Sequence, residues 1–437
     1  MLGYYLRLAW LSLKRTPAIT LLMIGAIALG IGATTTTLTV YHRMATNPIA
    51  ARNDVLRAVT LDSWSPDRPW DREHPERPPP ELTYRDAMAI AAGAPASRIV
   101  VMRKTALTAE PGAGRPPFLV EARLATRDFF PMFDVPFAYG TGWDARADHD
   151  AQPVVVLSKE TNVKLYGGEN SVGRVLRLDG REYRVVGVLA DWQPTPKFYD
   201  LNNGEYDTPE EIFMPLALGA ALDLQPAGNV NCWKSEPLAG IHDLFGSNCV
   251  WHQLWAELRT PADVERFQAW IDGYVAEQRK LGRYPRPTNN RLYNVDQWLA
   301  RHEVVGRDSR VLLVVSFAFL AVCVLNVVGL LLSRFLGAAG SSAIRRALGA
   351  SRAEIFRQHL VEVGLVGALA GLAGLALGAL GLRALQQLYS SYDRLTQLDL
   401  SMVLAAIGLA VLAGVLAGLY PAWRICRVQP ASYLKTQ

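Results

Sequence analysis

Apolar positions are not spread evenly along this chain. Long uncharged runs sit at its two ends, and a mixed polar and apolar stretch fills the middle. Four runs contain no Asp, Glu, Lys or Arg: Ala18–Tyr41, Val311–Ser333, Val363–Leu382 and Ser401–Trp423. Each meets the requirement of about 20 apolar residues for a helix crossing a bilayer. The first is too long, too rich in Gly and Thr in its second half and too poor in a cleavage pattern for a removable signal peptide, so it reads as a retained anchor. Ahead of it, Leu2, Leu6, Ala9, Trp10 and Leu13 share one helical face and Arg7 and Lys14 the other, the pattern of a helix lying flat on a membrane surface. In the middle, Val154–Leu157 reads as a buried strand. Arg174–Leu178 and Tyr183–Leu189 flank Asp179-Gly180, a hairpin signal. Asp263–Gln278 reads as an amphipathic helix with Val264, Phe267, Trp270, Ile271 and Tyr274 inward. The segments Arg77–Pro80 and Pro111–Pro117 read as loops.

The expected fold class is therefore a membrane protein: four transmembrane α-helices plus a large α+β extracytoplasmic domain, in two lobes, between the first and second spans. Of the 437 residues 50% are hydrophobic and 19% charged, against about 25% charged in soluble domains. That balance excludes a disordered chain, a small disulfide scaffold and a single soluble domain. The segments 1–16, 334–357 and 424–437 together hold eleven basic residues and one acid, a net of +10 in a chain whose total is +5, so the remainder carries −5. Lys and Arg in short flanks mark the cytoplasmic side. Both termini and the loop 334–357 are expected inside, and His42–Asp308 outside. A nucleic-acid function would need the basic groups on the large domain, where they do not collect. The boundaries predicted are an interfacial helix over 1–17, spans over 18–41, 309–333, 358–382 and 401–423, the large domain over 42–308, the loop 334–357, a short external loop 383–400 and a tail 424–437.

Within the third span Gly364, Gly367, Gly371, Gly374, Gly378 and Gly381 recur at 3 and 4, one stripe suited to close helix packing, with Gly414 and Gly418 as a partner surface. Cys232 and Cys249 lie in the large domain and are a disulfide candidate, closing a loop of 18 residues whose bridge contributes about 3 kcal/mol in loop-entropy terms. No phosphate-cradling loop, H-E-x-x-H, C-x-x-C or G-x-S-x-G occurs, so no catalytic residue and no metal site is assigned. His242, Asp243 and His252 come nearest to a ligand set and read as ordinary histidines; Asp148–Asp150 reads as a solvated loop. Glu362 reads as an ion-pair partner of Arg345, Arg346 or Arg357, and Asn326 as a hydrogen-bonding residue between spans.

The loop 334–357 is the most informative segment. Ser342–Gly349 fits a short helix with Gly349 as its stop, and Ser351 with Glu354 fits a capping box opening the next helix. Ile344, Ala347 and Leu348 form an apolar set beside Arg345 and Arg346, suited to docking into a partner's groove. This stretch, from Ile344 through Glu362, resembles the coupling-helix segment of ABC-transporter permeases of the MacB/FtsX type. Gly414, Gly418, Tyr420, Pro421 and Arg424 with Pro430 resemble that family's last span and tail. Leu6–Lys14 and Ala28–Gly32 are similar to its entry helix and first span. Phe129, Phe130, Val154–Ser158, Leu165–Gly168 with Gly173, and Val185–Val188 look like its MacB-like periplasmic core.

Two departures stand out: Ser341 occupies a place that is usually acidic, and Gln225–Cys249 looks like an insertion. The resemblance implies a permease subunit of an ATP-driven transporter, itself no enzyme, with Ile344, Arg345, Arg346, Ala347, Leu348 and Gly349 as the ATPase-coupling helix. It implies a cytoplasmic ABC ATPase that binds ATP and Mg, a second permease copy or paralogue, contact with membrane lipid, residence in a cell inner membrane and, in MacB-like members, a periplasmic adaptor and an outer-membrane duct. Export by mechanotransmission is the leading expectation. The alternative is an FtsX-like transmitter that controls an external enzyme without moving substrate.

Overall fold

The computed structural model describes residues 2–112, 114–238, 240–337, 340, 344–345, 349–388, 395–396 and 400–426. The chain divides into two units. One comprises residues up to Thr46 together with those from Val305 onward; the other is Asn47–Val304.

The first unit holds an N-terminal helix, Leu2–Arg15, and four helices long and apolar enough to cross a membrane: Pro17–Ala45, Arg307–Gly337, Arg352–Leu388 and Leu400–Cys426. We call these four the first to fourth spans. Each runs past its apolar stretch, because a helix continues wherever nothing stops it. The spans pack through small and branched residues around Ile27, Ile31, Val327, Val366 and Ala413. Threonines of the first span add hydrogen bonds to its neighbours: the Thr34 hydroxyl donates to the Ser316 carbonyl (3.1 Å), Thr37 to the Ser316 hydroxyl (2.8 Å) and Thr36 to the Gly378 carbonyl (3.3 Å). Such bonds between spans fix rotation more than they add stability, at roughly 0.6 kcal/mol each on average.

The N-terminal helix presents Ala9 and Leu13, both buried, to this bundle, with Ser12 half-buried beside them. Leu6 and Trp10, expected on the same face, stay exposed with Tyr4 and Leu11. The helix thus has one stripe against protein and a second apolar stripe left for lipid.

The second unit is built on ten strands among the described residues: β1 Leu56–Thr60, β2 Arg98–Glu110, β3 Phe118–Ala125, β4 Phe137–Gly140, β5 Val154–Leu157, β6 Val175–Leu178, β7 Arg181–Leu189, β8 Ile212–Pro215, β9 Gln253–Glu257 and β10 Arg291–Tyr293. They form one sheet in the order β10-β1-β9-β2-β3-β8-β5-β7-β4, with β6 pairing both β2 and β7. The pairing β2-β3-β8-β5-β7-β6 returns to β2 through Ala109 opposite Leu178, so six strands close on themselves and β9, β1 and β10 extend the sheet from that ring. The two expected lobes therefore share one sheet. The β6–β7 turn places Asp179 and Gly180 at φ +46° and +75°, the two left-handed positions of a type I′ turn.

Alternation along the strands separates two cores. Val120, Ala122, Leu124, Val155, Leu157, Ile212 and Met214 point to one side, where Phe267, Ile271 and Val275 of the helix Pro261–Lys280 also pack. Val154, Val156, Phe213 and Trp255 point to the other, into an aromatic cluster of Phe129, Phe133, Phe198 and Tyr199.

Candidate functional site

The candidate site is the loop between the second and third spans, together with the residues that anchor it. Ile344 and Arg345 are helical and exposed. Gly349 has φ +101°, and the Ala350 N–H donates to the Arg345 carbonyl at 3.0 Å. This is the six-residue closure of a Schellman stop, in which glycine takes the left-handed position without steric cost. Ser351 then opens the third span: its N–H donates to Glu354 Oε2 (2.8 Å), as does its hydroxyl (3.0 Å), and the Glu354 N–H donates to Ser351 Oγ (3.2 Å). The stop and the cap leave almost no slack between the short helix and the third span. Arg346, Ala347 and Leu348 lie outside the described residues.

The base of this loop is pinned. Arg334 Nη2 and Glu362 Oε1 are 2.6 Å apart, with both side chains buried. Glu362 was expected to pair with Arg345, Arg346 or Arg357. Its partner is Arg334, because the end of one span and the start of the next come to the same level, while Arg345 donates instead to Gln358 Oε1 (2.7 Å). The Ser12 hydroxyl donates to Glu362 Oε1 (2.8 Å) and accepts from Arg334 Nη2 (3.1 Å), and His359 Nδ1 lies 3.4 Å from Glu362 Oε2. One buried carboxylate therefore joins the N-terminal helix, the second span and the third span.

Above this point the glycine stripe serves two neighbours instead of one. A Cβ on Gly371 would lie 2.7 Å from Ala410 Cβ, and one on Gly367 3.3 Å from Gly414 Cα, both on the fourth span. A Cβ on Gly374 would lie 2.8 Å from Ile31, on Gly378 3.4 Å from Thr35 and on Gly381 2.9 Å from Thr36, all on the first span. A Cβ on Gly364 would meet nothing within 4 Å. A stripe of this spacing turns by about 20° per seven residues, so its two ends face different helices. Gly418 packs against Val363. Asn326 is exposed on the outside of the bundle, not directed across it.

The sequence signature of the MacB-like periplasmic core domain matches residues 20–274, and that of the FtsX-like permease C-terminal matches residues 313–430. The chain belongs to the MacB/FtsX-type ABC permease family. The pyoverdine export ATP-binding/permease protein PvdT of Pseudomonas aeruginosa is 23% identical over 315 residues, 71% of this permease and 41% of the relative. Its counterpart in Pseudomonas entomophila is 23% identical over 313 residues, 71% of this permease and 42% of the relative. The permease thus spans about two fifths of the length of these curated relatives. The crystal structure of the periplasmic region of MacB from Actinobacillus actinomycetemcomitans resembles it at 13% identity and a TM-score of 0.36, over 58% of this chain and 95% of that one.

In the permease's large domain Cys232 and Cys249 form a disulfide. It closes the Gln225–Cys249 segment over a small core of Ile241, Leu244 and Trp251. His242 is exposed and pairs with Asp223 (2.8 Å), whereas His252 is buried against Trp251 and Tyr84. No group of three or more potential metal ligands occurs among the described residues. Asp148 is not a solvated loop residue: it lies within a short helix, Ala145–His149, and accepts from Trp143 Nε1 (2.9 Å) and the Arg127 N–H (3.1 Å).

Sequence reasoning missed a buried charged network. Arg123 on β3 contacts both Asp200 and Glu210, Lys197 Nζ lies 3.4 Å from Glu210, the Tyr199 hydroxyl donates to Glu210 (3.0 Å), and Gln253 bridges Glu81 (2.7 Å) and Asp200 (3.1 Å). No local signal marked Arg123: it alternates with Val120, Ala122 and Leu124 and shares a strand face with Glu121, where a charge reads as solvated.

His302 lines a polar pocket of about 330 Å³ with Trp70, Arg77 and Arg301. Burial, with the charges of Arg301 and Arg77, pushes its ring down to about 3. A lowered histidine stabilises the fold fully above its ordinary value near 6.5 and loses that contribution as pH falls from there toward 3. The thermal stability of the 47–304 fragment is expected to fall as pH drops across that window, and His302→Asn to flatten part of the slope. An unchanged slope in that variant would contradict the assignment.

Proposed function

We propose that this chain is the membrane subunit of an ATP-driven export complex and works by transmitting motion, with its termini and the 334–357 loop on the cytoplasmic side of an inner membrane. A partner ABC ATPase binds ATP and Mg and docks on Ile344–Gly349. The observation that carries this reading is the loop's construction: a short helix with a rigid stop and a rigid restart, its base pinned by Glu362 to Arg334 and Ser12. A push on that helix reaches three helices together, and the first and second spans lead directly into the two ends of the large domain. The likeness to the Pseudomonas export ATP-binding/permease protein favours export over a purely regulatory transmitter. A periplasmic adaptor and an outer-membrane duct fit the MacB-like core.

A second permease copy or paralogue is part of the proposal. The second span exposes Val311, Leu312, Val314, Val315 and Leu325 along with Asn326. A polar amide facing hydrocarbon is costly unless another helix satisfies it.

Arg346→Glu and Leu348→Asp test the coupling. Each is expected to leave membrane insertion intact and to lower permease-stimulated ATPase activity by about tenfold. Undiminished stimulation in both variants would remove the coupling role of this helix.

A further inference from the structure

The outer surface between the third and fourth spans carries an apolar groove of about 620 Å³, running from Leu360 to Leu375 on the third span and flanked by Ile407 and Gly414 on the fourth. The fifteen helical steps from Leu360 to Leu375 give it a length of about 22 Å, more than the roughly 15 Å apolar half of a bilayer. Gly364 and Ala368 open it, and both are exposed. Unlike Gly367 and Gly371, Gly364 is not consumed by helix packing, since a Cβ there would meet nothing within 4 Å.

The same helical stripe continues, at spacings of 4, 4 and 3, from Ala368 through Gly364 and Leu360 to Arg357, which is exposed and in no salt bridge among the described residues. The neighbouring acid, Glu354, feels the charge of Arg357 but accepts its hydrogen bonds from the N–H and hydroxyl of Ser351. Arg424 lies in the last turn of the fourth span, six residues beyond Gly418, as Arg357 lies six residues ahead of Val363; Gly418 and Val363 touch. Both arginines thus sit about 9 Å along their helices from one contact, on the same side.

We propose that this groove holds an acyl chain of an anionic phospholipid of the cytoplasmic leaflet, with its phosphate at Arg357. A guanidinium matches a phosphate in charge and geometry, and basic residues between spans at the inner surface select anionic headgroups. Placing the lipid in the inner leaflet rests on the orientation proposed above.

The test is native mass spectrometry of the full chain in detergent, titrated with phosphatidylglycerol or phosphatidylcholine of identical acyl chains. Phosphatidylglycerol is expected to bind about fivefold more tightly. Arg357→Ala is expected to erase that preference, and Gly364→Leu, which fills the groove, to weaken both lipids several-fold; Ala368→Leu does the same should Gly364→Leu fail to elute as a single species. Equal affinity of the wild type for the two lipids, or unchanged binding when the groove is filled, would overturn the proposal. So would loss of a second protein copy from the Gly364→Leu variant with lipid binding intact, which would make the groove a protein seam. Labelling of Arg357→Cys by an impermeant maleimide from the periplasmic side would overturn the leaflet and the orientation, while leaving headgroup selectivity as a separate result.

Discussion

Arg123→Met is expected to destabilise the 47–304 domain by about 3–5 kcal/mol, the range for breaking a buried ion pair from one side. Against a typical domain stability of roughly 5–15 kcal/mol, that is enough to lose much of the folded protein. The size follows from what remains behind. Asp200 and Glu210 are buried, and both lean on Arg123. Burial alone pushes the Glu210 carboxyl up, but Arg123 and Lys197 outweigh it and hold it well below the usual carboxylate range. Without Arg123, Lys197 remains beside Glu210 at 3.4 Å, while Asp200 loses the cation it pairs with among the described residues. Burial, with the nearby Asp200, pushes the Glu81 carboxyl well above its ordinary range. The triple variant Arg123→Met, Asp200→Asn, Glu210→Gln is expected to recover a large part of the loss. Urea unfolding of the fragment checks both variants, and a loss under about 1 kcal/mol for Arg123→Met would mean that the network does not hold the sheet.

Glu362→Leu is expected to lower partner-stimulated ATPase activity about tenfold while the complex still assembles. The substitution strands Arg334 in a buried position and leaves Ser12 bonded to Arg334 alone, so the third span is untied from the second span and the N-terminal helix. Ser12→Ala removes one hydrogen bond and is expected to have a milder effect. The exchange Arg334→Glu with Glu362→Arg is the informative control. Restored coupling would show that the pair itself transmits motion; no recovery, with normal assembly, would assign the effect to local packing.

The membrane helices were legible in the sequence because a run of about 20 uncharged apolar residues is a one-dimensional signal. The β6–β7 hairpin and the Ser351 cap were legible for a similar reason: each depends on residues within a few positions of one another. The closure of the strand ring was not. It rests on Ala109 meeting Leu178, a pairing between distant segments that no local pattern records. The network around Arg123 draws on residues from Glu81 to Gln253, so only the folded chain assembles it. Glu362 was recognised as an ion-pair residue, but its partner was sought in the loop. The short helix closes onto its own stop and cap, and that leaves Arg334, at the end of the preceding span, as the cation beside it. The glycine stripe was visible in phase, yet its division between two neighbours depends on where the first and fourth spans cross the third.

On the function proposed above, this permease works through an ATPase docked on its 334–357 loop. The most direct measurement is mild-detergent purification of the tagged chain from its own membranes, with every co-purifying chain identified by mass spectrometry. An ABC ATPase is expected in near-equal amount, lost in the Leu348→Asp variant or retained there without stimulated activity. Repeated recovery of the intact chain with no ATPase, under conditions that preserve such complexes, would contradict it.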